Sequence, residues 1–174
     1  MDTPDSRLAQ RLADGDPAAY EAVYDGHGRD LYGYLLARTR RPHVAEDLLQ
    51  AVMLRLVRSR ARLRTVRSLR AYLFTIARNE WLRRGARAKP PTEPLEDVAA
   101  PTENVQDDTA LRQAFERLAP ERREVVGLKV HHGLTFAQIG EVLDLPPDTA
   151  ASRYRRALAE LRRLMEATDV DIRS

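Results

Sequence analysis

Thr149, Ser152, Arg153, Arg155 and Arg156 crowd into one short stretch near the C-terminal end of the chain. On a helix, Ala150, Tyr154, Ala157, Leu158 and Leu161 form a separate apolar side that needs burial. Hydroxyl and guanidinium groups at the front end of such a helix can reach base edges and phosphates in the major groove of DNA. A shorter apolar pattern, Ile139 with Val142 and Leu143, comes just before it, and the small residues Ala137 and Gly140 permit close packing. Asp144-Leu145-Pro146-Pro147 separates the two. Asp144 stands where a glycine is usual, and aspartate reaches the left-handed conformation at modest cost. Phe136 to Leu164 therefore has the layout of a helix-turn-helix. An ordinary helical hairpin with a basic surface fits the same pattern.

The remaining charge is unevenly spread. The chain has 174 residues, 29 basic and 26 acidic, so the net charge is only +3. Yet Arg38 to Lys89 is densely basic, with Glu46, Asp47 and Glu80 as its acids. Pro90 to Ala110 reverses sign: it contains Glu93, Glu96, Asp97, Glu103, Asp107 and Asp108 and no basic residue. Two basic blocks around an acidic, proline-containing one suggest two nucleic-acid-facing modules on a linker. Solvated arginine-rich helix faces are the plainer alternative.

Several function classes lack their residues. Without cysteine there is no disulfide scaffold, thiolate zinc site or cysteine nucleophile. No P-loop, dinucleotide turn or serine nucleophile elbow occurs. His131 and His132 are adjacent, so on a helix they point apart, and His27 and His43 are isolated. No apolar run approaches the roughly 18 residues of a membrane span. Met1 to Leu12 lacks an apolar signal core. The expectation is a soluble, cytoplasmic, non-enzymatic protein with no cofactor and no metal.

Positioning these residues requires helices. No stretch alternates as a strand does. A first helix is expected from Ser6 to Asp14-Gly15, and Asp16-Pro17 starts the next as N-cap and first helical residue. Its apolar stripe is Tyr20, Val23, Tyr24, Leu31, Tyr34 and Leu35, interrupted around Gly26 and Gly28. Ala45 to Val57 is the clearest amphipathic helix, a basic loop Ser59 to Ser68 follows, and Leu69 to about Arg84 is helical. Beyond the linker, helices are expected at Thr109–Leu118, from Pro120 to a stop at Gly133, from Phe136 to Leu143 capped by Thr135, and at Asp148–Met165. The fold class is all-α, two small helical domains on a flexible acidic linker.

At this level of detail the chain resembles a bacterial family, the extracytoplasmic-function (ECF) group of sigma-70 RNA polymerase sigma factors. Ala45-Glu46-Asp47-Leu48-Leu49-Gln50 is similar to the family's most recognisable string. Gly15 to Tyr20 with Leu31-Tyr32, Arg70 to Asn79, Leu118 to Val126, Gly133 to Gly140, and Leu145-Pro146 with Thr149 to Arg156 follow in family order. The resemblance implies a region 2 domain at 1–89, a linker at 90–109 and a region 4 domain at 110–174. It also implies core RNA polymerase as partner, through the β′ clamp helices and the β flap, with promoter DNA and an anti-sigma factor as further partners. Asp47, Gln50, Leu54, Arg55 and Arg58 would dock on the polymerase. Glu46 and Asp47 could equally serve only the helix dipole.

For the −10 element, the resemblance points to the loop Leu63, Arg64 and Thr65, to Asn79 as base reader, and to Tyr72 and Phe74 as stacking groups beside Trp81. Arg62, Arg67, Arg70, Arg78, Arg83 and Arg84 would hold the backbone. Opening a duplex means catching an unstacked base, and stacking surfaces and cations do that. For the −35 element, Ala151, Ser152, Arg155 and Arg156 would face bases, with Thr149 and Arg153 near phosphates and Asp148 capping the helix. The rival assignment is a stand-alone helix-turn-helix regulator, which gives the Asp47 and Gln50 face no role.

Overall fold

The computed structural model describes residues 4–87 and 109–172. The acidic segment 90–108 therefore lies outside the described residues, while Thr109 already belongs to a helix. The chain divides into two units, Met1–Pro101 and Thr102–Ser174. All regular structure among the described residues is helical.

The first unit contains α1 (Pro4–Ala13), α2 (Pro17–Thr39), α3 (Pro42–Arg58), a 3-10 helix (Arg60–Thr65) and α4 (Leu69–Arg87). Asp16 caps α2 by accepting from the Ala18 amide at 3.0 Å, and Pro17 supplies the first helical residue. The Arg11 guanidinium hydrogen-bonds Asp16 at 2.8 Å, and this contact holds the carboxyl below its ordinary pKa. Helix α2 runs unbroken through Gly26 and Gly28, where its apolar stripe is interrupted. Flanking apolar residues explain this: Val23, Leu31, Tyr34 and Leu35 are buried on one side, and their packing offsets the backbone entropy of the glycines. The helix stops at Arg40, which adopts the left-handed conformation at φ 52°.

Next, α3 starts at Pro42, earlier than the pattern suggested, so Glu46 and Asp47 lie beyond its first turn. The helix dipole is weak there, which leaves their presence unexplained by helix initiation. Helix α3 packs against both α2 and α4. Leu31, Leu35, Val52, Leu56, Leu73 and Ala77 are buried, and Tyr34 meets Phe74 edge to face at 5.3 Å. Each fully buried leucine contributes on the order of 1.5–3 kcal/mol, so this shared interior is the main support of the unit.

The second unit contains α5 (Thr109–Arg117), α6 (Pro120–Val130), α7 (Phe136–Leu143) and α8 (Pro147–Ile172). Ala114, Leu118, Val126, Ala157 and Leu161 form one apolar cluster. Arg123 closes the end of α5 by donating to the carbonyls of Glu116 at 2.7 Å and Leu118 at 3.0 Å. The long helix α8 extends past Met165 to Ile172. Leu158, expected on its buried side, is 39% exposed.

Candidate functional site

The α7–α8 corner is built from local signals. Thr135 Oγ1 accepts from the Gln138 amide at 3.2 Å, and Gln138 Oε1 accepts from the Thr135 amide at 2.9 Å. This reciprocal capping box satisfies two amides that would otherwise lack partners. Asp144 sits in the left-handed region at φ 55°. Gly140 is required by a close approach, because a Cβ there would lie 2.5 Å from the Leu145 carbonyl oxygen. Pro147 opens α8, so Asp148 lies inside its first turn and is not the N-cap. The expected capping role for Asp148 is corrected accordingly, since a residue past the cap acts through the helix dipole.

Tertiary contacts hold α8 against the rest of its unit. Arg122 pairs with Glu160, and Tyr154 meets the Phe136 ring at 5.6 Å. Lys129 Nζ lies 4.9 Å from that ring centroid and donates to the Leu134 carbonyl at 3.2 Å. Ala150 and Ala157 are buried beneath the helix. Thr149, Ala151, Ser152 and Arg153 are half-buried, whereas Arg155 and Arg156 are exposed. Among the described residues, Arg155 and Arg156 make no ion pair.

In the first unit the expected residues separate into two groups. Arg62, Arg64, Thr65, Arg67 and Asn79 are exposed on the loop and on α4. Arg83 and Arg84 are exposed as well, but Arg83 pairs with the buried Glu80, and Arg84 lies 3.5 Å from Asp47. Arg70 is half-buried against Asp30 at 2.6 Å. Arg78 is half-buried. Tyr72 is also half-buried, and its hydroxyl donates to Ser59 Oγ at 2.9 Å.

Two of the expected residues lie in the interior. Phe74 is 1% exposed and packed on Tyr34, so it cannot stack on a base without unpacking the interior. Leu63 is likewise 1% exposed and anchors its loop from beneath. The expected loop itself contains the 3-10 turn Arg60–Thr65, closed by the Thr65 hydroxyl donating to the Arg62 carbonyl at 3.0 Å. Trp81 is half-buried, with the Arg38 guanidinium 5.5 Å from its ring and 3.5 Å from that of Tyr34.

On α3, Asp47, Gln50, Leu54, Arg55 and Arg58 all face solvent, and Leu54 is 58% exposed. Beside them runs an open groove between α2 and α3. One part, about 590 Å³, is lined by Tyr24, Tyr32, Glu46, Leu49 and Gln50. An adjoining part, about 640 Å³, is lined by Tyr20, Tyr24, Met53 and Leu54. Tyr24 is 54% exposed, although the helical period had grouped it with the apolar stripe of α2. Its exposure, together with that of Val57 at 47%, extends the polar face of α3 into a mixed apolar surface. Among the described residues there is no cluster of metal-ligating side chains, and no helix is long and apolar enough to cross a membrane.

His27 adds one perturbed group. It is half-buried, and its Nδ1 has no hydrogen-bond partner among the described residues. Burial holds its imidazole below the ordinary pKa; Arg70 acts in the same direction, while Asp5 and Asp30 oppose it.

Comparison with known proteins follows the same division. Residues 23–89 match Sigma-70 region 2, and residues 108–161 match Sigma-70, region 4. The RNA polymerase sigma factor CarQ of Myxococcus xanthus is 32% identical over 171 residues, covering 94% of this chain and 98% of that protein. The ECF RNA polymerase sigma factor SigM of Mycobacterium tuberculosis (strain ATCC 25618 / H37Rv) is 33% identical over 165 residues, covering 92% and 84%. The fold is similar to CnrH solved in complex with the cytosolic domain of CnrY, with a TM-score of 0.65 at 23% identity over 94% of this chain and 97% of that one. The chain belongs to the sigma-70 family of RNA polymerase sigma factors, in its ECF group.

Proposed function

We propose that this sigma factor docks on core RNA polymerase through α3 and the α2–α3 groove, captures the −10 element with the loop 59–68 and α4, and reads the −35 element with α8. The observation that carries this reading is the presentation of α8. A left-handed corner and a capping box aim the helix, Ala150, Ala157 and Leu161 on its apolar side are buried, and Arg155 and Arg156 remain exposed at its front half. Such a helix supplies bidentate donors for guanine edges in the major groove. Ser152 and Ala151 border them, and Thr149 and Arg153 lie toward the phosphates.

In the first unit, exposed Asn79 is the base reader, and Arg62, Arg67 and Arg78 hold the strand. The half-buried Tyr72 and Trp81 offer ring edges. Phe74 belongs to the interior. Asp47 and Gln50 meet a polymerase helix, with Leu54, Tyr24 and Met53 as the apolar part of the same surface. The domain limits follow as 1–89 and 110–174, with the acidic stretch between them as tether. The protein makes no covalent bond of its own and works in the cytoplasm, where the polymerase is. A protein that covers these faces, an anti-sigma factor, is a further partner.

The test is reconstitution with bacterial core RNA polymerase, followed by run-off transcription on genomic fragments. Stable binding and new promoter-specific transcripts are expected. Asp47→Ala with Gln50→Ala should weaken core binding about 30-fold, because two contacts of the order of 1 kcal/mol are lost. Circular dichroism should show the fold retained. Unchanged core affinity in that variant would remove α3 from the docking surface.

A further inference from the structure

Three anchors hold the loop between α3 and α4, each by a different kind of contact. At its start, the Tyr72 hydroxyl donates to Ser59 Oγ at 2.9 Å, and Ser59 Oγ donates to the Arg55 carbonyl at 2.7 Å. In its middle, Leu63 is buried. On its outer side, Arg64 donates to Asp14 Oδ1 at 2.7 Å, joining residues 50 positions apart. The Asp14 carboxylate is itself oriented, because Gln10 Nε2 donates to its two oxygens at 3.1 and 3.2 Å. Gly15 follows at φ +81°, and an Arg60 guanidinium nitrogen lies 3.2 Å from where a Cβ would stand. The Asp14-Gly15 corner thus has room and charge for two loop arginines.

These contacts sort the cations of the loop. Arg64 is turned to Asp14, and Arg60 is turned to Gly15. Arg62 and Arg67 are exposed and make no ion pair with a described residue. A guanidinium already paired with a carboxylate is a poor phosphate ligand, whereas an unpaired one is available. A preformed loop also avoids the ordering cost that a loose one incurs on binding.

We infer that Asp14, at the α1–α2 corner, is a positioning residue for the promoter-opening loop. It commits Arg64 to holding the loop and leaves Arg62, Thr65 and Arg67 to the DNA. The inference rests on the reading of that loop as the −10 surface. Asp14 lies outside the segment that matches Sigma-70 region 2, which begins at residue 23.

The experiment uses the full chain assembled with core RNA polymerase on a duplex promoter fragment recovered by the run-off assay. The fraction of complexes with permanganate-reactive thymines is measured, alongside core affinity and the thermal midpoint. Asp14→Asn should lower the open fraction about 2- to 5-fold, the range expected for a half-exposed ion pair. Core affinity should not change, and the midpoint should fall by at most a few degrees, as expected for a half-exposed ion pair. The exchange Asp14→Arg with Arg64→Asp should restore opening. Full opening in Asp14→Asn overturns the inference. So does a matching loss of core affinity, which would make the role one of general folding. If the exchange fails to restore opening, the Arg64 cation is needed at the DNA itself, and the positioning role is wrong. Arg62→Ala with Arg67→Ala separates the two levels. Loss of opening there with normal Asp14→Asn removes the corner alone. Normal opening in both removes the −10 reading of the loop and the corner's role with it.

Discussion

The two regions proposed to face DNA present their charge differently. On α8, Arg155 and Arg156 are exposed and outside any ion pair among the described residues. In the first unit, Arg64, Arg70, Arg83 and Arg84 each face a carboxylate of their own unit. Helix α8 is aimed by backbone geometry at Asp144 and Gly140, so Arg155 and Arg156 are left out of the scaffold. The first unit is held together partly by the side chains that carry its charge. Binding and stability are therefore separable in the second unit and entangled in the first. Arg84 shows the entanglement directly, since its partner Asp47 belongs to the proposed polymerase face.

The largest expected effect tests the buried side of this contrast. Phe74→Ala should destabilise the first unit by about 3–5 kcal/mol through lost packing and the cavity it leaves. Denaturant unfolding of that unit should shift, while the transition of the second unit stays in place. A stable variant that fails only in strand opening would return Phe74 to the stacking surface and break the contrast.

A substitution on α8 comes next. Arg156→Ala should weaken −35-dependent binding on the order of 10- to 100-fold, from the loss of about 1–3 kcal/mol at a base contact. Core affinity and the unfolding midpoint should hold, because an exposed residue outside a network contributes little to stability. A clear drop in the midpoint would show that α8 shares the entanglement of the first unit.

The smallest effect is the pH dependence of the first unit. Its folded state holds the His27 imidazole below the usual pKa through burial. As pH falls below roughly 6.5, the unfolded chain takes up the proton first, so this contribution to stability is present above that pH and is lost on acidification. The denaturant midpoint should decline between pH 7.5 and pH 5.5, and His27→Gln should flatten that decline. An equal decline in the variant would assign the pH dependence to other groups.

Much of the helical layout was legible because its signals are local. Asp16-Pro17, the Thr135 cap and the left-handed Asp144 each depend on a few neighbouring residues, and each appears as read. Where the reading failed, the deciding contact was distant. Leu158 was grouped with the buried side of α8, yet it is 39% exposed. Tyr24 and Phe74 are both aromatic residues inside helices, yet one is 54% exposed and the other 1%. A helical period ranks apolar residues by face, but it does not say which face another helix will cover.

By itself, the sequence determined the helical class, the main turns, the family and the position of the α7–α8 corner, because propensity, capping and motif order are written along the chain. Only the tertiary structure decided which cations are committed and which aromatics are buried. Asp14 with Arg64, Asp30 with Arg70, and Asp47 with Arg84 are pairs far apart in the chain. Ion pairing and burial depend on distances across the packed interior, and folding brings those groups together.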